Sequence, residues 1–364
     1  MDSRLRQAFE EFFASTSGIV GHEFNYQAQL AHVLKKNFPS LRIVREYSNK
    51  AVFKGSVDIA AVNSLTGGLV YVFEIKGGAY GSRNALKDTF SDAGICKDYA
   101  KLKTRKSHAA ECWMVAVDAL ELGRGIGPQK LNQVLIECEN NNLGLAYYAF
   151  GDTQCTLLSP SLGENKVPVI PEKGSALPFS CLAPYLHEQV LGDASLLGSY
   201  VGKEADIVGN IYSQLLNIGA SPKQIALDAY YGFAPRNGQA LQRPDISIFE
   251  PDIEGHFNLY PNGSTNLSYD KQKLESLRCL IEVKGGASLL IYLKDIQKLC
   301  DWRGKINAEA AMKSIELKDI EYLFIVVDQR KNGLSSLQQE ELFSCADMNK
   351  ITVKYLNAQA PDFN

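Results

Sequence analysis

Two short stretches of this chain carry side chains suited to metal-assisted chemistry, and they nearly spell the same words. Glu74-Ile75-Lys76-Gly77-Gly78-Ala79 returns as Glu282-Val283-Lys284-Gly285-Gly286-Ala287. Each follows an apolar run, Leu69 to Phe73 in one case and Leu280-Ile281 in the other. Side chains alternate along a strand, so Glu74 and Lys76 share one face, as do Glu282 and Lys284. A carboxylate beside an ammonium at a strand end can hold a divalent cation and position a water. One Glu-x-Lys is usually a solvated edge pair. Two, each followed by Gly-Gly-Ala and each preceded by an acid on an earlier strand (Asp58 and Asp245), indicate an internal duplication with chemistry in it.

The elements that must position these residues recur in the same order. Leu5 to Phe13 has apolar residues at helical spacing, and a second helix is predicted from Glu23 to Asn37, with Pro39 as its stop. Strands are predicted at Leu41 to Tyr47, Val57 to Val62 and Leu69 to Lys76, followed by a long polar helical stretch from Asp88 to Lys106. A buried strand from Cys112 to Val117, a helix from Lys130 to Asn140 and a strand from Leu143 to Phe150 complete an α/β order around a mixed sheet. The second copy opens at Gly202-Lys203-Glu204, which matches Gly21-His22-Glu23. It continues through Pro244-Asp245-Ile246 and the repeated motif. Lys294 to Leu299 matches Lys97 to Leu102, and the strand from Leu323 to Val327 ends at Asp328 as its counterpart ends at Asp118. A helix (Leu337 to Cys345) and a strand (Ile351 to Leu356) close it. Asp58 and Glu74 are 16 positions apart and Asp245 and Glu282 are 37 apart; the surplus, Glu254 to Lys273, reads as an inserted loop or hairpin. Between the copies lie five of the thirteen prolines. The expected organisation is a domain over 1–152, a proline-rich connector over 153–198 and a second domain over 199–364.

Bulk properties agree with two soluble domains. The chain has 364 residues, more than one core normally serves, with 45% hydrophobic and 22% charged residues. A formal net charge of −3 weighs against a broad polyanion-binding coat but leaves room for a local basic groove. The eight cysteines include no CxxC pair and no zinc-finger spacing, so buried, reduced thiols and a cytoplasmic setting are expected. No signal peptide and no run of about 18 apolar residues is visible, so no membrane partner is expected.

An acid on one strand, Glu-x-Lys on the next and a preceding helix bearing a Glu together resemble the PD-(D/E)xK nuclease superfamily. The resemblance covers about 1–150 and 200–358. The second copy even reads Pro244-Asp245; the first has Val57 where the proline would stand. The resemblance implies two tandem restriction-endonuclease-like domains, each a central mixed sheet flanked by helices, forming a pseudo-dimer. It also implies a Mg²⁺-dependent endonuclease (Mn²⁺ as a substitute), with Asp58 and Glu74, and Asp245 and Glu282, as metal ligands. Hard carboxylate oxygens, few in number, suit Mg²⁺. Lys76 and Lys284 would lie near the attacking water and the scissile phosphate, and Glu23 and Glu204 match a helix glutamate that some members use as a further metal contact. As first-turn acids, Glu23 and Glu204 are equally explained by the helix dipole. The paired glycines would allow unusual backbone angles and a close approach to a sugar–phosphate chain. Asp118 and Asp328 are assigned to capping the turn or helix after their strands.

Basic residues on the helix after each motif, Lys97, Lys101 and Arg105, then Lys294, Lys298 and Arg303, are candidates for phosphate contacts with nucleic acid, or an ordinary solvated face. Gln27 has no counterpart, Val208 standing in its place, so the two sites need not be equal. The leading expectation is an enzyme cutting both strands of DNA with two sites in one chain, in restriction or anti-phage defence. The alternatives are a noncatalytic nucleic-acid-binding or scaffold protein that kept the fold, and a nuclease effector activated by a ligand, a protein partner or a higher assembly.

Overall fold

Asp2 caps the first helix by accepting a hydrogen bond from the Arg4 N–H at 2.8 Å, and the apolar stripe behind it folds as its spacing predicts. Helix α1 spans Ser3–Thr16 and α2 spans Glu23–Asn37. The computed structural model describes residues 1–50, 52–77, 96–105, 110–118, 128–149, 152–159, 163–170, 176–190, 204–229, 231, 243–255, 257, 267–330 and 332–357. The chain divides into two units, Met1–Gly174 and Ser175–Leu259 with Thr265–Asn364. Each is an α/β unit built on a mixed sheet flanked by helices.

The first sheet has seven strands in chain order: β1 (Leu41–Ser48), β2 (Ser56–Asn63), β3 (Leu69–Gly77), β4 (Glu111–Asp118), β5 (Gly144–Ala149), β6 (Gln154–Ser159) and β7 (Gly163–Pro168). β1, β2 and β3 are antiparallel neighbours, whereas β3, β4 and β5 run parallel. The parallel steps need crossovers, which α3 (Cys96–Lys103) and α4 (Pro128–Asn140) provide. One face of the sheet packs on α1, where Phe9 meets Phe73 and Trp113 at centroid separations of 6.2 and 4.9 Å. The other face carries Val72, Met114 and Tyr147 against Tyr99 and Leu102 of α3 and Val134 and Cys138 of α4. Glu74 follows Val72 on that second face, so α3 is the helix that passes over it.

The second unit repeats this plan. Its sheet is β8 (Ile225–Leu227), β9 (Ile246–Phe249), β10 (Leu277–Lys284), β11 (Glu321–Asp328) and β12 (Thr352–Asn357), in chain order. Its pairing directions match β1 to β5 one for one: two antiparallel steps, then two parallel ones. After α5 (Phe179–Tyr185), α6 (Glu204–Asn217) takes the place of α2. α7 (Leu267–Ser276) precedes β10, and α8 (Leu289–Met312) and α9 (Ser336–Met348) make the crossovers. Tyr292 of α8 packs on Phe324, the register partner of Glu282, so α8 lies over the face that carries Glu282.

Several expectations are corrected. Residues 154–168, expected in the connector, form the β6–β7 hairpin that extends the first sheet past β5. Pro168 is tolerated because β7 is the edge strand and Pro168 its last residue. The segment at Phe179–Tyr185 belongs to the second unit, where the Phe179 N–H donates to Glu250. The expected insertion from 254 to 273 ends in helix, since α7 begins at Leu267. Of the helical stretch from 88 to 106, α3 falls within the described residues; Gly78 and Ala79 lie outside them. Not every thiol is buried: Cys181 is exposed. Among the described residues no helix is long and apolar enough to cross a membrane.

Among the described residues, the glycines after the motif do not take the unusual backbone angles that the resemblance suggests; Gly285 follows directly on the end of β10, as the plainer reading of a strand-ending turn has it. Neither Gly77, Gly285 nor Gly286 has a positive φ. Gly77 is needed for packing, because a Cβ there would lie 2.6 Å from the Tyr26 ring. That ring is pinned by its hydroxyl, which donates to the Ile19 carbonyl at 2.7 Å. A Cβ on Gly285 would meet nothing within 4 Å. Gly77→Ala is therefore expected to destabilise the first unit by about 1–3 kcal/mol. Gly285→Ala, at the same motif position, is expected to change stability by less than about 0.5 kcal/mol. Thermal or denaturant unfolding of the two variants checks the contrast; equal effects contradict it.

Candidate active sites

Each Glu-x-Lys motif sits at the end of a strand flanked by an antiparallel neighbour and a parallel one. In the first unit the acid from β2 is tied directly to the motif: the Ile75 N–H donates to Asp58 Oδ2 at 2.7 Å. In the second, the Val283 N–H donates to Asp245 Oδ2 at 2.6 Å. The bonded N–H is in both cases that of the residue between Glu and Lys. One geometric lock thus places Asp58 beside Glu74 and Lys76, and Asp245 beside Glu282 and Lys284.

The motif side chains are joined in crossed ion pairs. The strand lysine pairs with the first residue of the preceding helix: Lys76 Nζ lies 3.1 Å from Glu23 Oε1, and Lys284 Nζ lies 2.9 Å from Glu204 Oε2. The strand glutamate pairs with a lysine from the following helix. Lys101 Nζ is 2.6 Å from Glu74 Oε1, and Lys298 Nζ is 2.5 Å from Glu282 Oε1. Glu74 and Glu282 are 1% and 2% exposed, so a nearby cation is close to obligatory. Lys101 also donates to the Ser56 carbonyl at 2.7 Å, bracing the start of β2 against α3. Asp295, one turn before Lys298 on α8, brings a further carboxylate to 3.8 Å from Lys284 Nζ. Asp98 matches it in sequence, but its side chain lies outside the described residues.

Burial dominates the electrostatics. It pushes the Asp58 carboxyl up to about 6, against the opposing pull of the Ile75 N–H, Lys76 and Lys101. It pushes Asp245 up to about 7, against Lys298, the Val283 N–H and Lys284 and with the help of Glu204. Glu282 is raised well above its ordinary value by burial and by the Asp245 charge, with Lys298 opposing. Burial would lower Lys284, but Glu204 and Asp295 outweigh it and hold the ammonium above its ordinary value.

All eight catalytic candidates are therefore gathered into two like-built clusters of four. The nucleic-acid candidates fare differently. Lys101 and Lys298 point into the clusters instead of outward. Arg105 is 5% exposed and donates to the Leu102 and Asn142 carbonyls, closing the end of α3. Arg303 donates to the Asn349 carbonyl at 2.7 Å, beyond the C-terminus of α9, and lies over the Tyr322 ring. Both arginines donate to carbonyls at or near a helix end, where a donor is needed. Lys294 is exposed on α8, and the Lys97 side chain lies outside the described residues. Gln27 is buried, with its amide oxygen 3.5 Å from the Arg45 guanidinium.

A second repeated pair escaped the sequence. Tyr147 donates to Asp118 at 2.7 Å and Tyr355 donates to Asp328 at 2.6 Å, from equivalent places on β5 and β12. Burial would raise Asp328, but Arg330 and Tyr355 hold it below the usual carboxylate value. The Arg330 N–H also donates to Asp328, so this acid does hold the turn after its strand.

Among the described residues no group of three or more His, Cys, Asp or Glu side chains converges to cage a metal ion. Mg²⁺ needs less, being held by one or two carboxylates with waters and substrate phosphate completing its shell. The donor set fits that mode: all the acids offer hard oxygens, and Glu282 Oε2 is buried without a hydrogen-bond partner. Neither a scan against protein-family models nor searches of curated proteins and of solved structures find a match for this chain.

The raised carboxyls set a pH dependence. Asp58 and Asp245 hold their protons more tightly folded than unfolded, so stability falls as pH rises from the unfolded value of 3.8 through about 6 and about 7. In chelator-containing buffer, Asp58→Asn with Asp245→Asn is expected to flatten this fall by about a few kcal/mol. Melting curves across that range check it; an unchanged slope contradicts it.

Proposed function

We propose that the protein is a Mg²⁺-dependent endonuclease that hydrolyses phosphodiester bonds of double-stranded DNA, with one site in each unit. The observation that carries this reading is the repeated lock between the aspartate and the Glu-x-Lys backbone, with the same crossed ion pairs around it in both units. Four equivalent charged residues at four equivalent places are costly to keep if they do nothing, since buried ion pairs are weak contributors to stability.

Asp58 with Glu74, and Asp245 with Glu282, would hold the metal ion, which supplies an acidified water and neutralises charge on the phosphate. The chain's own residues do the rest. Lys76 and Lys284 stabilise the negative charge that develops on the phosphoryl oxygens as the water oxygen bonds to phosphorus and the bridging P–O bond breaks. The water gives up one proton to solvent and the leaving oxygen takes one from solvent, so the diester becomes a monoester and an alcohol. Glu23 and Glu204 orient those lysines, and each ammonium reaches its station from a strand end that packing holds rigid. Held as an ammonium by Glu204 and Asp295, Lys284 acts here as an electrostatic group and not as a base.

Two sites in one chain supply what a homodimer supplies with two copies, and they leave the halves free to diverge. Such an enzyme fits restriction or anti-phage defence, where both strands of an asymmetric target are cut. Incubated with supercoiled plasmid and Mg²⁺, the wild-type protein is expected to give linear product. Glu74→Gln and Glu282→Gln are each expected to give nicked circles, and the double variant to lose about 100-fold or more of its activity. A single variant that still linearises plasmid marks its unit as inactive in the parent, and no Mg²⁺-dependent cutting of any DNA overturns the proposal.

A further inference from the structure

The cation beside each buried glutamate is the feature that the hydrolytic reading leaves unused. The strand lysine is engaged with Glu23 or Glu204, and a second lysine compensates Glu74 or Glu282. That task falls to Lys101 and Lys298, whose side chains are 15% and 16% exposed and which arrive from the crossover helices α3 and α8. Lys101 is anchored a second time on the Ser56 carbonyl, two residues before Asp58. Lys298 is also the cation acting most strongly on Asp245. Each ammonium therefore contacts the glutamate of its site and also acts electrostatically on the aspartate, where a divalent ion would carry the same sign of charge.

Resting on the metal-dependent reading above, we propose that Lys101 and Lys298 are positioning residues that hold the sites in a metal-free ground state, and that a divalent cation enters each site in exchange for the lysine–glutamate ion pair. The pair keeps the buried carboxylate compensated when no metal is present. It also sets a threshold, because an incoming cation must overcome an attraction already satisfied at contact distance. Glu282 has one oxygen on Lys298 and the other without a partner, so a cation can engage the second oxygen first and displace the lysine afterwards.

The test is Mn²⁺ binding to the full chain without substrate, measured by isothermal titration and by the paramagnetic signal of free Mn²⁺ in mildly alkaline buffer. Lys101→Met with Lys298→Met is expected to bind Mn²⁺ at least about tenfold more tightly than wild type, and to melt lower in chelator with a larger gain on adding Mn²⁺. Lys101→Arg with Lys298→Arg, which keeps the charge, is expected to bind as wild type does. Lys298→Gln alone, checked for folding by circular dichroism, is expected to tighten one of two sites. Tightening must vanish in the background of Glu74→Gln with Glu282→Gln. If Mn²⁺ binds to wild type and the methionine or glutamine variants bind equally or more weakly, the exchange is overturned while the metal-dependent reading stands. If neither wild type nor any lysine variant binds Mn²⁺, that reading fails and the exchange fails with it.

Discussion

Burying a glutamate near the end of an interior strand of a sheet imposes a condition on everything around it. At 1% and 2% exposure, Glu74 and Glu282 need a cation within contact distance, and the lysines on their own strands are already engaged elsewhere. A helix crossing that face of the sheet must therefore deliver one. α3 and α8 do so with Lys101 and Lys298, and their placement follows from the parallel steps β3–β4 and β10–β11 that require a crossover there. The aspartate arrives from the antiparallel neighbour, whose register puts it against the motif's own backbone N–H. The site is thus a consequence of where a mixed sheet changes from antiparallel to parallel.

The two units share this core and differ around it. The first sheet continues into the β6–β7 hairpin, so β5 is wholly buried, whereas β12 ends the second sheet and is half-exposed. The second unit adds α7 between β9 and β10 and an Arg330 that braces Asp328. Such differences lie in connections and at sheet edges, where insertions are tolerated, while the residues of the clusters keep their partners.

Much of this could be read in advance, because it is carried by local pattern. Strand alternation placed Glu74 and Lys76 on one face, helical spacing gave α2 and α6 their first residues, and the order of motif words gave the order of strands. What escaped is long-range. Lys101 and Lys298 read equally as phosphate contacts for nucleic acid and as members of a solvated basic face. Nothing in helical spacing says which lysine turns toward the sheet, although both stand at the same place in the matched helices. The carbonyl partners of Arg105 and Arg303 escaped for the same reason: a charge reads as solvent-facing until a helix end is known to need a donor. The prolines between 153 and 198 masked a hairpin, since Pro168 at the end of an edge strand costs no ladder bond. The repeated Tyr–Asp pairs rest on register between β4 and β5, and between β11 and β12, which no single strand encodes.

The central claim is that each unit holds a divalent cation between an aspartate and a glutamate. Crystals soaked in Mn²⁺ and measured at its absorption edge test this most directly. The account predicts one anomalous peak within bonding distance of Asp58 and Glu74 and another at Asp245 and Glu282, with the Lys101 and Lys298 ammoniums moved off their glutamates. Peaks elsewhere, or none at either pair, contradict it.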